Sequence, residues 1–231
     1  MSLKVFSTGL PAIPLRGVAN IFEKKHGVKF TIIAGPVEQW LPTVLAGEGD
    51  IVSVGAEYIM DDLQEEHGLV IPDSRTTVGY RRSVIIVRKG NPKDIRGIED
   101  LAERDDIRIL ICRGACQRGL WDDVASKAML ADEIRKKIVE YGTGCLDTYQ
   151  RWRRSEGRID AAIVWNVYGV IWPNDCDVVE LPRDLQVYRS TNVAILKSTK
   201  DEKLARMFID FLRTEDARST YEKWGWVIPK R

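Results

Sequence analysis

The chain has 231 residues, of which 44% are hydrophobic and 30% are charged, and its formal net charge is +1. This length is sufficient for one domain or for two small ones. The near balance of 35 basic and 34 acidic side chains gives no support to nucleic-acid binding or to capture by an anionic membrane. No apolar run has the length of a membrane-spanning helix.

Strand-like runs alternate with helical patterns from the first residues onward. Pro14 suits the first turn of a helix with apolar side chains on one face, and Gly27 is placed to end it. Pro42 lies inside a later helical segment and must kink it or mark its true start. The other predicted elements of this half are strands over residues 4–7, 28–34 and 50–54, and helices over residues 37–46 and 58–67.

The same alternation resumes in the second half and then returns toward the first. The predicted strands are residues 83–88, 107–112, 138–141 and 160–165, followed by the strand-like run VYRSTNVAILK. The predicted helices are residues 98–104, 119–131, 146–156, 202–213 and 216–224.

Strand–helix–strand units with short connections predict an α/β protein with mostly parallel sheets and flanking helices. We expect two lobes, one formed by residues 1–82 with 191–231 and the other by residues 83–190, with a cleft between them. In open α/β sheets, ligands bind where loops leave the carboxyl ends of the strands. The loops after the strands are therefore the candidate binding segments.

Residues that carry catalysis or bind metals do not form a recognisable set. The cysteines are Cys112, Cys116, Cys145 and Cys176, and their spacing is unlike the paired cysteines of a zinc site. The two histidines precede glycines at predicted helix ends, so the sequence assembles no nucleophile, base and acid. No glycine-rich nucleotide-binding motif occurs. We expect a protein that is not an enzyme and that holds no metal ion or other cofactor.

Several phrases of the sequence together are typical of one family. They are KVFSTGLP, GDIVSVGAEYIMDDL, RRSVIIVRKGNPKDIRGIEDL, GRIDAAIVW and DEKLARMFIDFLRTEDARSTYEKWGWVIPK. Over nearly its whole length, the chain resembles an extracytoplasmic solute-binding protein of an ABC importer. Within that class it most resembles the molybdate/tungstate-binding group of the type II periplasmic-binding-protein fold.

The resemblance implies capture of a small solute, here an oxyanion such as molybdate or tungstate, by hinge closure of two lobes. It implies an ABC permease in the membrane as partner, an extracytoplasmic location, a monomer and no nucleic acid. No export signal is visible, so the first residues replace a removed signal or the protein is cytoplasmic. Two other functions stay open: the ligand-sensing domain of a regulator, and a cysteine-dependent enzyme of the same architecture, such as porphobilinogen deaminase.

The resemblance also indicates site residues in the first lobe. In this family each lobe offers hydroxyls and backbone N–H groups, many at helix starts, to a tetrahedral oxyanion. Ser7 and Thr8 match the hydroxyl-bearing loop after the first strand. Gly35 and Pro36 stand where the family usually has Gly-Ser or Gly-Thr, and Pro36 supplies neither a hydroxyl nor an N–H.

Candidates in the second lobe and at the third strand each have a competing interpretation. Trp165 and Asn166 stand where the family often has a tyrosine-containing loop, which is a second departure from its pattern. Arg113 or Arg118 could donate paired hydrogen bonds to an oxyanion, or each could be a solvated surface side chain. Glu57 could bind a protonated ligand or a metal ion, or it could complement a helix start.

The resemblance places the loops that carry Cys116 and Cys145 next to each other. Three interpretations stay open for this pair. The thiols could form a disulfide under oxidising conditions, face the ligand and bind a soft metal or thiophilic species, or be inert and buried. Cys112 ends a buried strand and is expected to lie in the core.

Overall fold

The computed structural model of the protein describes residues 1–229. The chain divides into two compact units, Met1–Tyr80 with Arg189–Arg231, and Arg81–Tyr188. It passes from the first unit to the second within one strand and returns within another. Among the helices of residues 1–229, none combines the length and the apolar character needed to cross a membrane.

The strands and helices follow one another along both units. In chain order they are β1 (Ser2–Ser7), α1 (Ala12–His26), β2 (Lys29–Ala34), α2 (Val37–Leu45), β3 (Ile51–Val54), α3 (Glu57–Asp61), β4 (Thr76–Arg88), α4 (Ile98–Glu103), β5 (Ile109–Cys112), α5 (Leu120–Lys127), α6 (Ala131–Lys137), β6 (Ile138–Gly142), α7 (Cys145–Arg154), β7 (Ala161–Trp165), α8 (Val167–Ile171), β8 (Cys176–Val179), β9 (Tyr188–Ile195), α9 (Glu202–Phe211) and α10 (Glu215–Lys223). A short turn, Ala115–Gln117, lies between β5 and α5.

Each unit contains a mixed array of strands. In the first unit, β2 and β3 run parallel to β1 on its two sides, and β9 runs antiparallel to β3. In the second unit, β6 and β7 run parallel to β5, whereas β4 runs antiparallel to β7 and β8. The expected parallel pairing is therefore found within the strand–helix–strand units, and the antiparallel pairs come from β4, β8 and β9.

The core of the first unit includes a cluster of aromatic rings between α1, β2 and α9. The ring centroid of Phe208 lies 5.3 Å from that of Phe22 and 4.8 Å from that of Phe30. Phe211 packs on Phe22 at 5.3 Å. The apolar face of α1 predicted from the sequence is thus buried against a helix from the end of the chain.

The structure confirms the predicted helix over residues 37–46 but excludes one alternative for Pro42, and it divides another predicted helix in two. Pro42 does not mark a helix start, because α2 begins at Val37 and contains Pro42 in its interior. The helix predicted over residues 119–131 is instead two helices, α5 and α6. Met129 adopts a φ of 58° between them, a left-handed conformation that a continuing right-handed helix excludes.

The first part of strand β4 and two short elements were also not predicted from the sequence. β4 begins at Thr76 and not at Ser83, because the polar residues before the apolar run also pair. Tyr80 exchanges backbone hydrogen bonds of 2.9 and 2.7 Å with Val227. The elements α8 and β8 have five and four residues, too few to show a clear period.

We predict that Phe208→Ala lowers the free energy of unfolding of the first unit by about 3–5 kcal/mol, because it opens a cavity in the aromatic cluster. Met207→Ala is the matched control, since the Met207 side chain is 42% exposed; a change within about 0.5 kcal/mol is expected there. Urea unfolding monitored by circular dichroism measures both. Equal losses for the two variants would contradict the assignment of Phe208 to the core.

Candidate ligand-binding site

Three strand ends meet at one edge of the first unit, and the predicted residues Ser7 and Thr8 lie there. The register of β1 beside β3 places Ser7 opposite Ser53. The amide of Thr8 donates to the carbonyl of Ser53 over 2.9 Å, and the amide of Gly35 donates to the carbonyl of Ser7 over 3.0 Å. Because Ser7, Thr8 and Ser53 are buried, a hydroxyl cluster lies at the carboxyl ends of β1 and β3.

The three hydroxyls differ in their hydrogen bonding. Ser7 Oγ donates to the carbonyl of Thr8 over 3.0 Å. Thr8 Oγ1 and Ser53 Oγ are buried and have no hydrogen-bond partner within residues 1–229. A buried hydroxyl left without a partner costs about 1–3 kcal/mol. Two such groups on neighbouring strands therefore suit a site where a ligand completes their hydrogen bonds.

Gly35 and Pro36 add no amide donor to this edge. The N–H of Gly35 is already donated to Ser7, and proline has no N–H. The Gly35 carbonyl accepts a hydrogen bond of 3.2 Å from Trp40 Nε1, which fixes the start of α2. At Gly35 and Pro36 the edge therefore has no amide left to donate to a ligand.

Glu57 is engaged with β9. Its Oε2 accepts hydrogen bonds from the amide of Ser190 at 3.0 Å and from Ser190 Oγ at 3.2 Å. Its Oε1 lies 3.5 Å from Nε of Arg189. Glu57 is also the first residue of α3. Through these contacts the Glu57 carboxylate links α3 to β9. A role for Glu57 in ligand binding stays a prediction.

In the second unit, the loop after β5 packs tightly on the loop before α7. A Cβ on Gly114 would lie 2.6 Å from both the Cα of Gly144 and the carbonyl oxygen of Thr143. The amide of Arg113 donates to the carbonyl of Gly142 over 2.7 Å. Because Gly114 has no side chain, the two loops approach closely and hold their side chains next to each other.

Both predicted arginines of this unit are exposed. The guanidinium carbon of Arg113 lies 3.5 Å from the ring centroid of Tyr141, a cation–π contact that supports the side chain from one side. Arg118 follows the short turn, and its amide donates to the carbonyl of Ala115 over 3.3 Å. Their positive charges therefore reach solvent from opposite ends of one turn, and their contact with a ligand stays a prediction.

Trp165 and Asn166 hold the end of β7 in place. Trp165 is fully buried, and its Nε1 donates to the carbonyl of Cys116 over 3.2 Å. Asn166 Oδ1 accepts a hydrogen bond of 3.0 Å from the amide of Arg82, and the Asn166 amide donates to the Arg82 carbonyl over 2.9 Å. Trp165 thus holds the backbone of the turn that carries Cys116, and Asn166 joins β7 to β4.

Cys116 and Cys145 lie in contact in the second unit. Their Sγ atoms are 2.9 Å apart, both residues are buried, and both are free thiols. Gln117 Nε2 donates to Cys145 Sγ over 3.2 Å. Cys112 also contacts Cys145 and, as expected, is buried. Within residues 1–229, no group of three or more histidine, cysteine or acidic side chains is arranged to hold a metal ion.

The thiols of this cluster are electrostatically unequal. Hydrogen bonds from Cys112 and Cys116 stabilise the Cys145 thiolate, and they hold its pKa well below the ordinary value for a thiol. The same contacts, together with burial, raise the pKa of Cys112 and Cys116. The positive charge of Arg81 also favours the Cys145 thiolate. Cys145 is therefore the acidic member of the cluster.

Four polar residues of these regions were not singled out in the sequence, although Gln117 and Tyr168 lie in loops that follow predicted strands. Ser53 stands inside the apolar run DIVSV, and this single hydroxyl was the available signal. Arg81 is fully buried, with its guanidinium carbon 4.8 Å from the Trp165 ring centroid. Gln117 is buried too and donates to the hydroxyl of Tyr168 over 3.1 Å. For Arg81, Gln117 and Tyr168, no signal in the neighbouring residues indicated that these side chains are buried and in contact.

The arrangement of strands is that of the type II periplasmic-binding-protein fold. The structure of PEB3 from Campylobacter jejuni with L-phospholactate bound superposes with a TM-score of 0.86, at 24% identity, over 98% of this chain and all of PEB3. The periplasmic molybdate-binding protein of Azotobacter vinelandii superposes with a TM-score of 0.79, at 18% identity, over 99% of this chain and all of that protein. These likenesses confirm the predicted fold class.

The family follows from the sequence. The model of the bacterial extracellular solute-binding protein family matches residues 3–227, and the chain belongs to that family. YvgL of Bacillus subtilis, described as a candidate substrate-binding lipoprotein of an ABC transporter, is 25% identical over 179 residues, which are 77% of this chain and 67% of YvgL. The predicted membership is confirmed, and the family is one of transport proteins and not of enzymes.

We predict that Gly114→Ala destabilises the second unit by about 1–3 kcal/mol, because the added methyl group overlaps backbone atoms of the neighbouring loop. Gly144→Ala is the matched control. A Cβ there meets no atom within 4 Å, and the φ of −169° is open to any residue. Thermal unfolding of the two variants measures the difference. If both unfold at the wild-type temperature, the two loops are not packed as described.

Proposed function

We propose that this protein is the substrate-binding component of an ABC importer and that it captures a small oxyanion without turning it over. One observation carries the proposal: Thr8 and Ser53 present buried hydroxyls without partners at the carboxyl ends of two parallel strands. Family membership and the likeness to YvgL support the transport role. A membrane permease as partner, an extracytoplasmic location, a monomeric state and closure of two lobes on the solute belong to the same proposal.

The donor chemistry favours a tetrahedral oxyanion. Such a ligand accepts several hydrogen bonds at once, which suits the hydroxyls of Thr8 and Ser53, and the exposed charges of Arg113 and Arg118 offer compensation for its negative charge. Molybdate and tungstate are the first candidates, since the Azotobacter vinelandii neighbour is a molybdate-binding protein. The L-phospholactate bound to PEB3 carries a tetrahedral phosphate, so a small phosphorylated acid is the second candidate.

We predict that Ser53→Ala weakens oxyanion binding about 10- to 100-fold, because it removes a hydrogen bond to a charged ligand. The same substitution leaves the free energy of unfolding unchanged or slightly raised, since the hydroxyl that is lost had no partner. Isothermal titration with molybdate, tungstate, sulfate, phosphate and L-phospholactate measures the affinity, and urea unfolding measures the stability.

Ser74→Ala is the matched control for that experiment. Ser74 is equally buried in the same unit, but its Oγ donates to the Ile71 carbonyl at 2.6 Å and accepts from the Ile195 amide at 2.9 Å. The expected result is a loss of about 1–2 kcal/mol in stability with unchanged affinity. Wild-type protein that binds none of the five anions would refute the proposal, and Ser53→Ala with full affinity would remove Ser53 from the site.

The two arginines can be separated by substitution. We predict that the one that contacts the anion loses at least about 10-fold in affinity on change to alanine, because a charged hydrogen bond is removed. Both variants keep stability within about 0.5 kcal/mol, since both side chains are exposed. Native mass spectrometry with the tightest-binding anion, at matched salt, measures the difference. If Arg113→Ala and Arg118→Ala both bind as the wild type does, the charge compensation comes from another residue.

A further inference from the structure

Three of the four cysteines converge in the second unit, although Cys145 is 29 positions from Cys116 in the sequence. Cys112 ends β5, Cys116 lies in the short turn that follows, and Cys145 begins α7. Cys145 lies between the other two and contacts both. The proposed transport function uses none of these thiols, so their proximity calls for a separate explanation.

The contact between Cys116 and Cys145 is close to bonding distance. Their Sγ atoms are 2.9 Å apart, whereas a disulfide bond measures about 2.05 Å. The close packing of Gly114 on Gly144 fixes the two loops that carry the cysteines. A small movement of the two side chains, without rearrangement of either loop, therefore brings the sulfur atoms into bonding range.

The surroundings prepare one of the two thiols for reaction. Cys145 is the first residue of the ten-residue helix α7, where the helix dipole favours negative charge. Its pKa lies well below the ordinary thiol value because Cys112 and Cys116 donate hydrogen bonds to it, and the cation of Arg81 adds to the effect. A thiolate is the reactive form of cysteine in disulfide exchange, so Cys145 is the expected nucleophile during folding, once the start of α7 and the neighbouring turn have formed and before the pair is buried.

We propose that Cys116 and Cys145 form an intramolecular disulfide when the protein folds in an oxidising environment. The family is one of extracellular proteins, and disulfides persist in that environment. This inference concerns the covalent state of the second unit and is independent of the identity of the solute.

The chemistry is a thiol–disulfide exchange with a disulfide-bearing oxidant. The Cys145 thiolate attacks one sulfur of the oxidant, which forms a mixed disulfide and releases the first thiol. Cys116 then loses its proton and attacks Cys145 Sγ, which expels the second thiol. Overall, two cysteine thiols are oxidised to one disulfide, and the oxidant takes up two electrons and two protons as it becomes two thiols.

The bond ties the arginine-bearing turn to α7. Arg113 and Arg118 flank that turn, and Trp165 already holds its backbone at Cys116. The two cysteines are 29 positions apart in the chain, so the cross-link closes a loop of intermediate length and restricts the unfolded state. The oxidised protein is therefore expected to unfold at a higher temperature than the reduced protein.

The test is refolding of the full chain from the reduced, unfolded state in a glutathione redox buffer. Refolding matters because the folded pair is only 9% and 5% exposed, which limits access of the oxidant. Non-reducing mass spectrometry should find a chain lighter by two hydrogen atoms, and proteolytic mapping should find a peptide cross-linked through Cys116 and Cys145. Reduction should lower the unfolding temperature by on the order of 5–15 °C.

Single substitutions distinguish this pairing from the alternatives. Cys116→Ser and Cys145→Ser should each abolish the mass change and the response of the unfolding temperature to reduction. Cys176→Ser is the matched control and should keep both, because Cys176 Sγ lies apart from the cluster and donates to the carbonyl of Trp172. Cys112→Ser should keep the cross-link. If a variant does not fold, the wild-type peptide map decides: four free thiols, or a link between Cys112 and Cys145, would overturn the proposal.

Discussion

The parallel register of β1 between β2 and β3 is the constraint on which the candidate site depends. Parallel neighbours end at the same edge of a sheet, so the segments after β1 and β2 and the end of β3 meet there. The hydrogen bond from the Thr8 amide to the Ser53 carbonyl continues that register beyond the end of β1. A shift by one residue would turn the side chains of a strand to its other face, and the hydroxyls would no longer meet.

The second unit positions its polar residues by close packing and not by strand register. Gly114 lets one loop rest directly on the next, and this contact brings a turn with two exposed arginines beside the start of α7. The buried indole of Trp165 supports the same turn through its backbone. Arg113 and Arg118 thus flank a short turn that is held by the packing of Gly114 and by the hydrogen bond from Trp165. For the anion binding proposed above, such support lowers the entropy that a flexible arginine would lose.

The sequence predicted the parts of this structure that depend on local pattern. β1, β3, β5 and β7 were located within two residues of their bounds because buried parallel strands read as apolar runs. Ser7 and Thr8 were indicated by the family resemblance, which places a hydroxyl-bearing loop after the first strand. Ser53 was not indicated, because it stands within a strand and only its pairing with β1 places it beside Ser7. Which strands pair is set by tertiary structure. Arg81 was missed for a similar reason: its burial depends on the Trp165 ring, which is 84 positions away in the chain.

Three buried serines of the first unit differ in their hydrogen bonding. Ser74 donates and accepts a hydrogen bond, and Ser7 donates one, whereas Ser53 does neither within residues 1–229. With Thr8 added, two hydroxyls lack partners at about 1–3 kcal/mol each. The free protein carries this cost, and a solute that accepts or donates hydrogen bonds at these two groups would remove it. This is why the two hydroxyls support the proposed oxyanion site at this edge of the sheet.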